Sequence, residues 1–243
     1  MRLDPRPVTS VGRADDVDVD LDAWPATVPA VAQVLRDGLE LPAGVTFVVG
    51  ENGSGKSTLL EGIAGAYGLA LEGGTRNTVH ATYATESALH AWLRVSRGPG
   101  SSRWGYFLRA ETLHGYLTYL DTGARGPGDP EFHALSHGES TLELIAKYLG
   151  SSGFYCLDEP ETALSFTSTL TLVATLHELA ATEGAQVLCA THSPLLTALP
   201  GATILEVGAW GLRETTWDDL VVVANWRSYL AEPGRYLRHV LGD

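Results

Sequence analysis

Lysine is nearly missing from this chain: of its 243 residues, only Lys56 and Lys147 are lysines. Its 16 Lys and Arg face 29 Asp and Glu, a formal charge of −13. That balance excludes a uniformly basic surface for holding nucleic acid by its phosphates and leaves only a local patch for such a role. Cysteine is as scarce. Cys156 and Cys189 lie in the short apolar runs "FYCLDE" and "VLCATH", where an unpaired thiol behaves as a small hydrophobe. Two such residues supply neither a disulfide framework nor a metal-ligand spacing. No stretch of about 18 apolar residues occurs, and the N-terminus "MRLDPRPVTSVGRADD" has no apolar signal core. The expectation is a soluble, cytoplasmic protein with no membrane segment.

What the chain does have is 44% apolar residues, enough to bury one substantial core. Residues 1–15 are polar, with Pro5, Pro7 and Gly12, and are expected to be flexible; residues 16–243 are expected to form a single domain. In "DVDVDLD" (16–22), valine and leucine alternate with aspartate, which reads as a half-buried edge strand, with a metal-binding acidic cluster as the sharper alternative. "VTFVVG" is a continuous apolar run, as in a strand covered on both faces. "TVHATYA", "LHAWLRV" and "RWGYFLR" read as three short strands separated by Gly- and Ser-rich turns. "AETLHGYLTYL" reads as a helix and "DTGARGPGDPEFHA" as an irregular loop. Beyond it, helix 139–149, strand 153–158, helix 166–183, strand 186–191, the run "ATILEV" and a helical tail from about 217 alternate. That order predicts an α/β fold with a mostly parallel central sheet and flanking helices.

Four motifs sit on this frame. Gly50, Gly55, Lys56 and Ser57 satisfy G-x-x-x-x-G-K-[ST] between a strand and a helix. Glycines let backbone N–H groups curl around phosphates, and the helix N-terminus adds partial positive charge. Lys56 is placed for the β- and γ-phosphates, and Ser57 for Mg²⁺. In "GFYCLDEPETALS" an apolar run ends at Asp158 and Glu159, at the strand tip where ligands of α/β sheets bind. Asp158 suits Mg²⁺, and Glu159 suits orienting or deprotonating a water. In "QVLCATHSPLL", His192 ends another strand one helix and one strand beyond Glu159, at a nearby tip from which it can reach a γ-phosphate. In "ALSHGESTLELIAKYL", Ser136 and Glu139 form a capping box that leaves Ser136, Gly138 and the helix's first amides facing outward as a second anion site.

In this order, "GENGSGKST", "LSHGES", "LDEPETALS" and "ATHS" resemble the Walker A, signature, Walker B with D-loop, and switch histidine of the ABC-class ATPases. The wording "SHGES" and "DEPETALS" is similar to that of the small stand-alone AAA-type ATPases related to the RecF, SMC and recombination-repair group. The resemblance implies a P-loop NTPase, an ABC-type ATPase head with a small antiparallel β lobe and a minimal helical lobe, using ATP and Mg²⁺. It implies nucleotide contacts from Gly50, Glu51, Asn52, Gly53, Ser54, Gly55, Lys56, Ser57 and Thr58, metal contacts from Ser57 and Asp158, and catalysis by Lys56, Glu159 and His192. It also implies a head-to-tail homodimer in which Ser136 and Gly138 cap the partner's nucleotide, with the D-loop, Thr162 to Ser165, crossing between the sites. No glutamine ends "GYFLR" where the family's Q-loop falls; Arg109 or Glu111 is left for that role, and Arg76 is a weaker candidate for nucleotide contact.

Three jobs fit such a head: an ATP-driven clamp or switch on nucleic acid or a protein partner, the ATPase subunit of a membrane transporter, and a phosphotransferase. The stretch 110–135 is short for the helical subdomain that a transporter ATPase docks on its membrane partner. Glu159 and the signature serine arrange a water and a second subunit rather than a second substrate. The clamp or switch is therefore the expectation.

Overall fold

A computed structural model describes residues 5–76, 78, 87–124 and 130–242. Its main sheet holds six strands in the order β5-β6-β7-β3-β8-β9: β3 Gly44–Val49, β5 Gly105–Arg109, β6 Gly153–Asp158, β7 Ala185–Thr191, β8 Thr203–Gly208 and β9 Gly211–Thr215. The first five run parallel, and β9 pairs antiparallel on the β8 edge. Side chains alternate across the sheet as period two demands. Val48, Phe107, Phe154, Cys156, Leu188 and Leu205 pack on one face. Phe47, Leu108, Tyr155, Leu157, Val187 and Cys189 pack on the other. Helices α1 Pro29–Asp37 and α2 Lys56–Tyr67 cover the first face. Helices α4 Leu113–Tyr119, α5 His137–Tyr148, α6 Phe166–Ala180 and α7 Val221–Ala231 cover the second, and α8 Pro233–Leu241 ends the chain without a buried residue. The two cysteines are free and buried on opposite faces, where burial pushes both thiols well above their ordinary range. Among the described residues, no helix is long and apolar enough to cross a membrane.

The small antiparallel lobe exists, with one strand from "LHAWLRV" and two from segments not read as strands in the sequence. Its order is β2-β1-β4, with β1 Ser10–Arg13 in the middle, β2 Leu39–Glu40 and β4 Leu93–Ser96. Ser10–Arg13 lies in the stretch expected to be flexible; Val8 and Val11 are buried, and that burial orders it. In "LHAWLRV" only the second half is a strand, because Leu89–Trp92 forms the short helix α3. "GYFLR" joins the main sheet instead, since Tyr106, Phe107 and Leu108 are covered on both faces. Residues 79–84, most of "TVHATYA", lie outside the described residues. "DVDVDLD" forms no strand: Val19 is buried in the core and Val17 packs partly buried against it, without a ladder. No group of three or more His, Cys, Asp or Glu suited to a metal occurs among the described residues, so the acidic-cluster alternative has no support there.

Gln186, at the start of β7, ties the N-terminal segment to the main sheet. Val8 N–H donates to its Oε1 at 2.9 Å, and its Nε2 donates to the carbonyls of Val8 at 2.8 Å, Pro42 at 2.8 Å and Leu41 at 3.3 Å. A leucine there keeps the volume but strands the Val8 N–H and the carbonyls of Val8 and Pro42, while Arg6 still donates to the Leu41 carbonyl at 2.9 Å. Gln186→Leu is expected to cost about 2–4 kcal/mol in urea unfolding; a midpoint equal to that of the wild type would show that the N-terminal segment carries none of the stability.

Candidate nucleotide site

The loop after β3 takes its shape from three glycines. Gly53 and Gly55 have φ of 78° and 94°, in the left-handed region that favours glycine. A Cβ on Gly50 would lie 2.8 Å from the Val207 carbonyl oxygen, and one on Gly55 would overlap the Val28 side chain. Gly55 then starts α2, so the helix's free amides face the loop. Lys56 is 3% exposed and donates to the carbonyls of Gly50 and Glu51 at 2.9 Å each. Burial lowers its ammonium below the ordinary lysine value, against the opposing pull of Glu159, Asp158 and Glu161.

Asp158 and Glu159 follow one another at the tip of β6, where a continued strand would aim them at opposite faces. Glu159 has φ of 49°, the one positive value at a non-glycine residue among the described residues, and this turn lets both carboxylates line one cavity. Ser57 donates to Asp158 Oδ1 at 3.0 Å. Glu159 Oε1 lies 3.9 Å from Lys56 Nζ and 3.5 Å from His192 Nδ1. Strand order explains the second contact, because β7 lies between β3 and β6 and sets His192 between the two phosphate-site strands.

The loop divides two cavities. One, of about 540 Å³, is lined by Asn52, Gly53, Gly55, Lys56, Ser57 and Thr58 together with Asp158, Glu159, Glu111, Thr162, Trp24 and Val28. The other, of about 670 Å³, takes Gly50, Glu51, Ser54 and His192 on its loop side and Trp210, Val221 and Trp226 opposite. The donor set fits a nucleotide with Mg²⁺. Ser54 Oγ is buried in the loop with no partner, and Ser57 and Asp158 present hard oxygens side by side. Two protein oxygens match an ion that keeps waters and phosphate oxygens for its remaining positions.

Other candidates lie elsewhere. Arg109 ends β5 and lines neither cavity: its Nη1 pairs with Glu61 at 3.0 Å and its Nη2 with Glu111 at 3.1 Å. Of the two Q-loop candidates, Glu111 lines the cavity and Arg109 does not. Arg76 sits beside Gly68 at the far end of α2 and lines neither cavity. Ser136 caps α5 in a closed capping box, its Oγ accepting from Glu139 N–H and its own N–H donating to Glu139 Oε2. It is exposed and lines neither cavity. A Cβ on Gly138 would lie 2.9 Å from the Ala163 carbonyl oxygen, so the start of α5 is seated on the segment that follows β6.

Sequence reading missed Trp24, which is 59% exposed yet lines the phosphate cavity with Val28. Its only signal is a tryptophan stranded among aspartates and prolines. It also missed Glu161, whose Oε1 accepts from the Thr191 hydroxyl and from His192 N–H.

Two family models match parts of the chain: "AAA domain, putative AbiEii toxin, Type IV TA system" over residues 122–198, and "AAA domain" over residues 36–86. No curated protein matches it in sequence. Among solved structures, it is similar to "a putative metal-chelate type ABC transporter" in an inward-facing conformation, at 18% identity and a TM-score of 0.53 over 93% of this chain and 89% of that one. It is also similar to cbiO1 from Clostridium perfringens, part of the ABC transporter complex cbiONQ, at 14% identity and a TM-score of 0.45 over 85% and 90% of the two chains. A third is the dimeric bacterial ABC transporter cassette MJ0796, at 17% identity and 0.44 over 74% and 88%. The fold is that of a P-loop NTPase.

Burial pushes the Asp158 carboxyl up to about 6, against the opposing effects of the Ser57 hydrogen bond and the nearby Arg109 charge. Because the folded value lies above the unfolded one, ionised Asp158 opposes folding. The penalty is absent below about pH 4, grows as pH rises, and is complete above about pH 6. Asp158→Asn keeps the acceptor for Ser57 and is expected to stabilise the protein by about 1–3 kcal/mol at pH 8. The gain should vanish toward pH 4 in thermal melts; a gain independent of pH would rule out this electrostatic origin.

Proposed function

We propose that this chain binds ATP with Mg²⁺ and hydrolyses it to ADP and phosphate between two copies packed head to tail, as a cytoplasmic clamp or switch on a macromolecular partner. Residues 16–243 serve as one ATPase unit in this reading. The observation that carries it is the convergence of Lys56, Ser57, Asp158, Glu159 and His192 at three strand tips, while Ser136 stays exposed and outside both cavities.

The loop amides and Lys56 hold the phosphates, and Trp24 offers an aromatic face to the base at the cavity's edge. Ser57 and Asp158 hold Mg²⁺, which supplies charge neutralisation on the phosphate oxygens. Glu159 orients a water and takes its proton as the oxygen bonds to the γ-phosphorus and the bond to ADP breaks. His192, beside Glu159, donates to the γ-phosphate. Ser136, Gly138 and the α5 amides supply the anion site that the partner's nucleotide meets.

A second reading, the ATPase subunit of a membrane transporter, is favoured by the likeness to the metal-chelate type ABC transporter. The short stretch between β5 and α5 weighs against it, because among its described residues α4 is the one α-helix available for docking.

Glu159→Gln is expected to retain ATP but lose hydrolysis by about 100-fold or more and to accumulate as a dimer in light scattering with ATP and Mg²⁺. A monomer under saturating ATP would remove the sandwich. Recovery of DNA or RNA with the trapped form, lost at high salt, supports the clamp; recovery of a membrane protein supports the transporter reading.

Ser136→Arg is expected to abolish hydrolysis while nucleotide affinity, read by fluorescent-nucleotide titration, stays within about threefold, with about 1 kcal/mol lost from the helix cap. Loss of binding in this variant would place Ser136 in its own subunit's site.

A further inference from the structure

His192 faces Glu159 although little packing holds it: its side chain is 48% exposed. Its direction must come from the backbone that carries it, and two bonds hold that backbone. His192 N–H donates to Glu161 Oε1 at 3.3 Å, and the same oxygen takes the Thr191 hydroxyl. Thr191 is fully buried, and its hydroxyl oxygen also accepts Ser193 N–H at 2.9 Å. The residues on both sides of His192 are thus tied, directly or through one hydroxyl, to a carboxylate that lies two residues beyond Glu159. That carboxylate lines neither cavity, and its second oxygen is buried without a partner. Burying such a group costs free energy that its bonds to the β7 tip must offset.

We propose that Glu161 is a positioning residue that clamps the tip of β7 to the chain leaving β6, fixing the distance between His192 and Glu159. It touches neither phosphate nor metal and acts through His192. The working atom is Oε1 as an acceptor, so the group required is a carbonyl-type oxygen at that place rather than a negative charge. A glutamine supplies it; an alanine does not. Thr191 is the other half of the clamp, and its hydroxyl is required for the same reason.

The proposal rests on the ATPase reading for its kinetic test and on geometry alone for its spectroscopic one. In the full chain, Glu161→Ala and Thr191→Val are expected to lower kcat for ATP by about 10- to 100-fold, the scale of a misplaced catalytic group, with KM within about threefold. Glu161→Gln should recover the rate to within about threefold of the wild type. The Glu161→Ala, Thr191→Val double variant should be no slower than the slower single variant, because both remove one clamp. Without nucleotide, the His192 imidazole resonance, assigned by its disappearance in His192→Gln, should shift in Glu161→Ala and Thr191→Val and hold its position in Glu161→Gln. Equal rates in Glu161→Ala and wild type, a loss confined to KM, or a Glu161→Gln as slow as Glu161→Ala would each overturn the clamp. A wild-type protein without ATPase activity would refute the ATPase reading and leave the imidazole resonance to decide; a resonance unmoved in Glu161→Ala then overturns the clamp.

Discussion

The ligand edge of this sheet depends on keeping opposite charges buried together. Lys56 and Asp158 are 3% and 5% exposed, and neither is fully neutralised by the other. Burial pulls the ammonium down and pushes the carboxylate up, so both groups are held in a state they would not choose alone. On the proposed function, a bound triphosphate with Mg²⁺ would complement both at once, its oxygens meeting the lysine and its cation the aspartate. Free energy that the fold spends on burying these charges is thereby available for ligand binding, a common pattern where function and stability compete.

The architecture serves this arrangement. Parallel strands put their C-terminal ends on one edge, so the loop after β3, the carboxylates after β6 and the histidine after β7 are neighbours although far apart in the chain. Covering helices on both faces make the strands continuous apolar runs, and these give the edge a rigid base. The exposed capping box at Ser136 is the contrasting element. It is held by its own helix, and Gly138 sits close against the Ala163 carbonyl in the segment after β6.

Much of the site was legible because its motifs are local. The φ values of Gly53 and Gly55 demand glycine wherever such a loop is built, and an apolar run that stops at two acidic residues marks a strand tip without further context. The lobe was less legible. β1 is four residues with polar flanks, and Leu89–Trp92 is helical despite strand-like neighbours; in the main sheet, the edge strand β9 is also short and carries polar Arg213, Glu214 and Thr215. Arg109 looked available at a strand end; the buried Glu61 on α2, far from it in sequence, claims it. Helix α1 carried ordinary signals, Pro29 at its start and Gly38 at its end, yet its contact with the loop through Val28 has no sequence mark.

By itself the sequence determined the chemistry of contiguous segments: where phosphate amides gather, which carboxylates end a strand, and which serine opens a helix. Those follow from backbone conformations that span a few residues. Only the tertiary structure decided which distant groups meet: Trp24 and Lys56 line one cavity, Glu159 lies beside His192, and Glu161 takes the Thr191 hydroxyl. The reason is physical: such pairs depend on strand order and on the turn at Glu159, and hydrophobic periodicity encodes which face a residue takes but not which strand lies beside it.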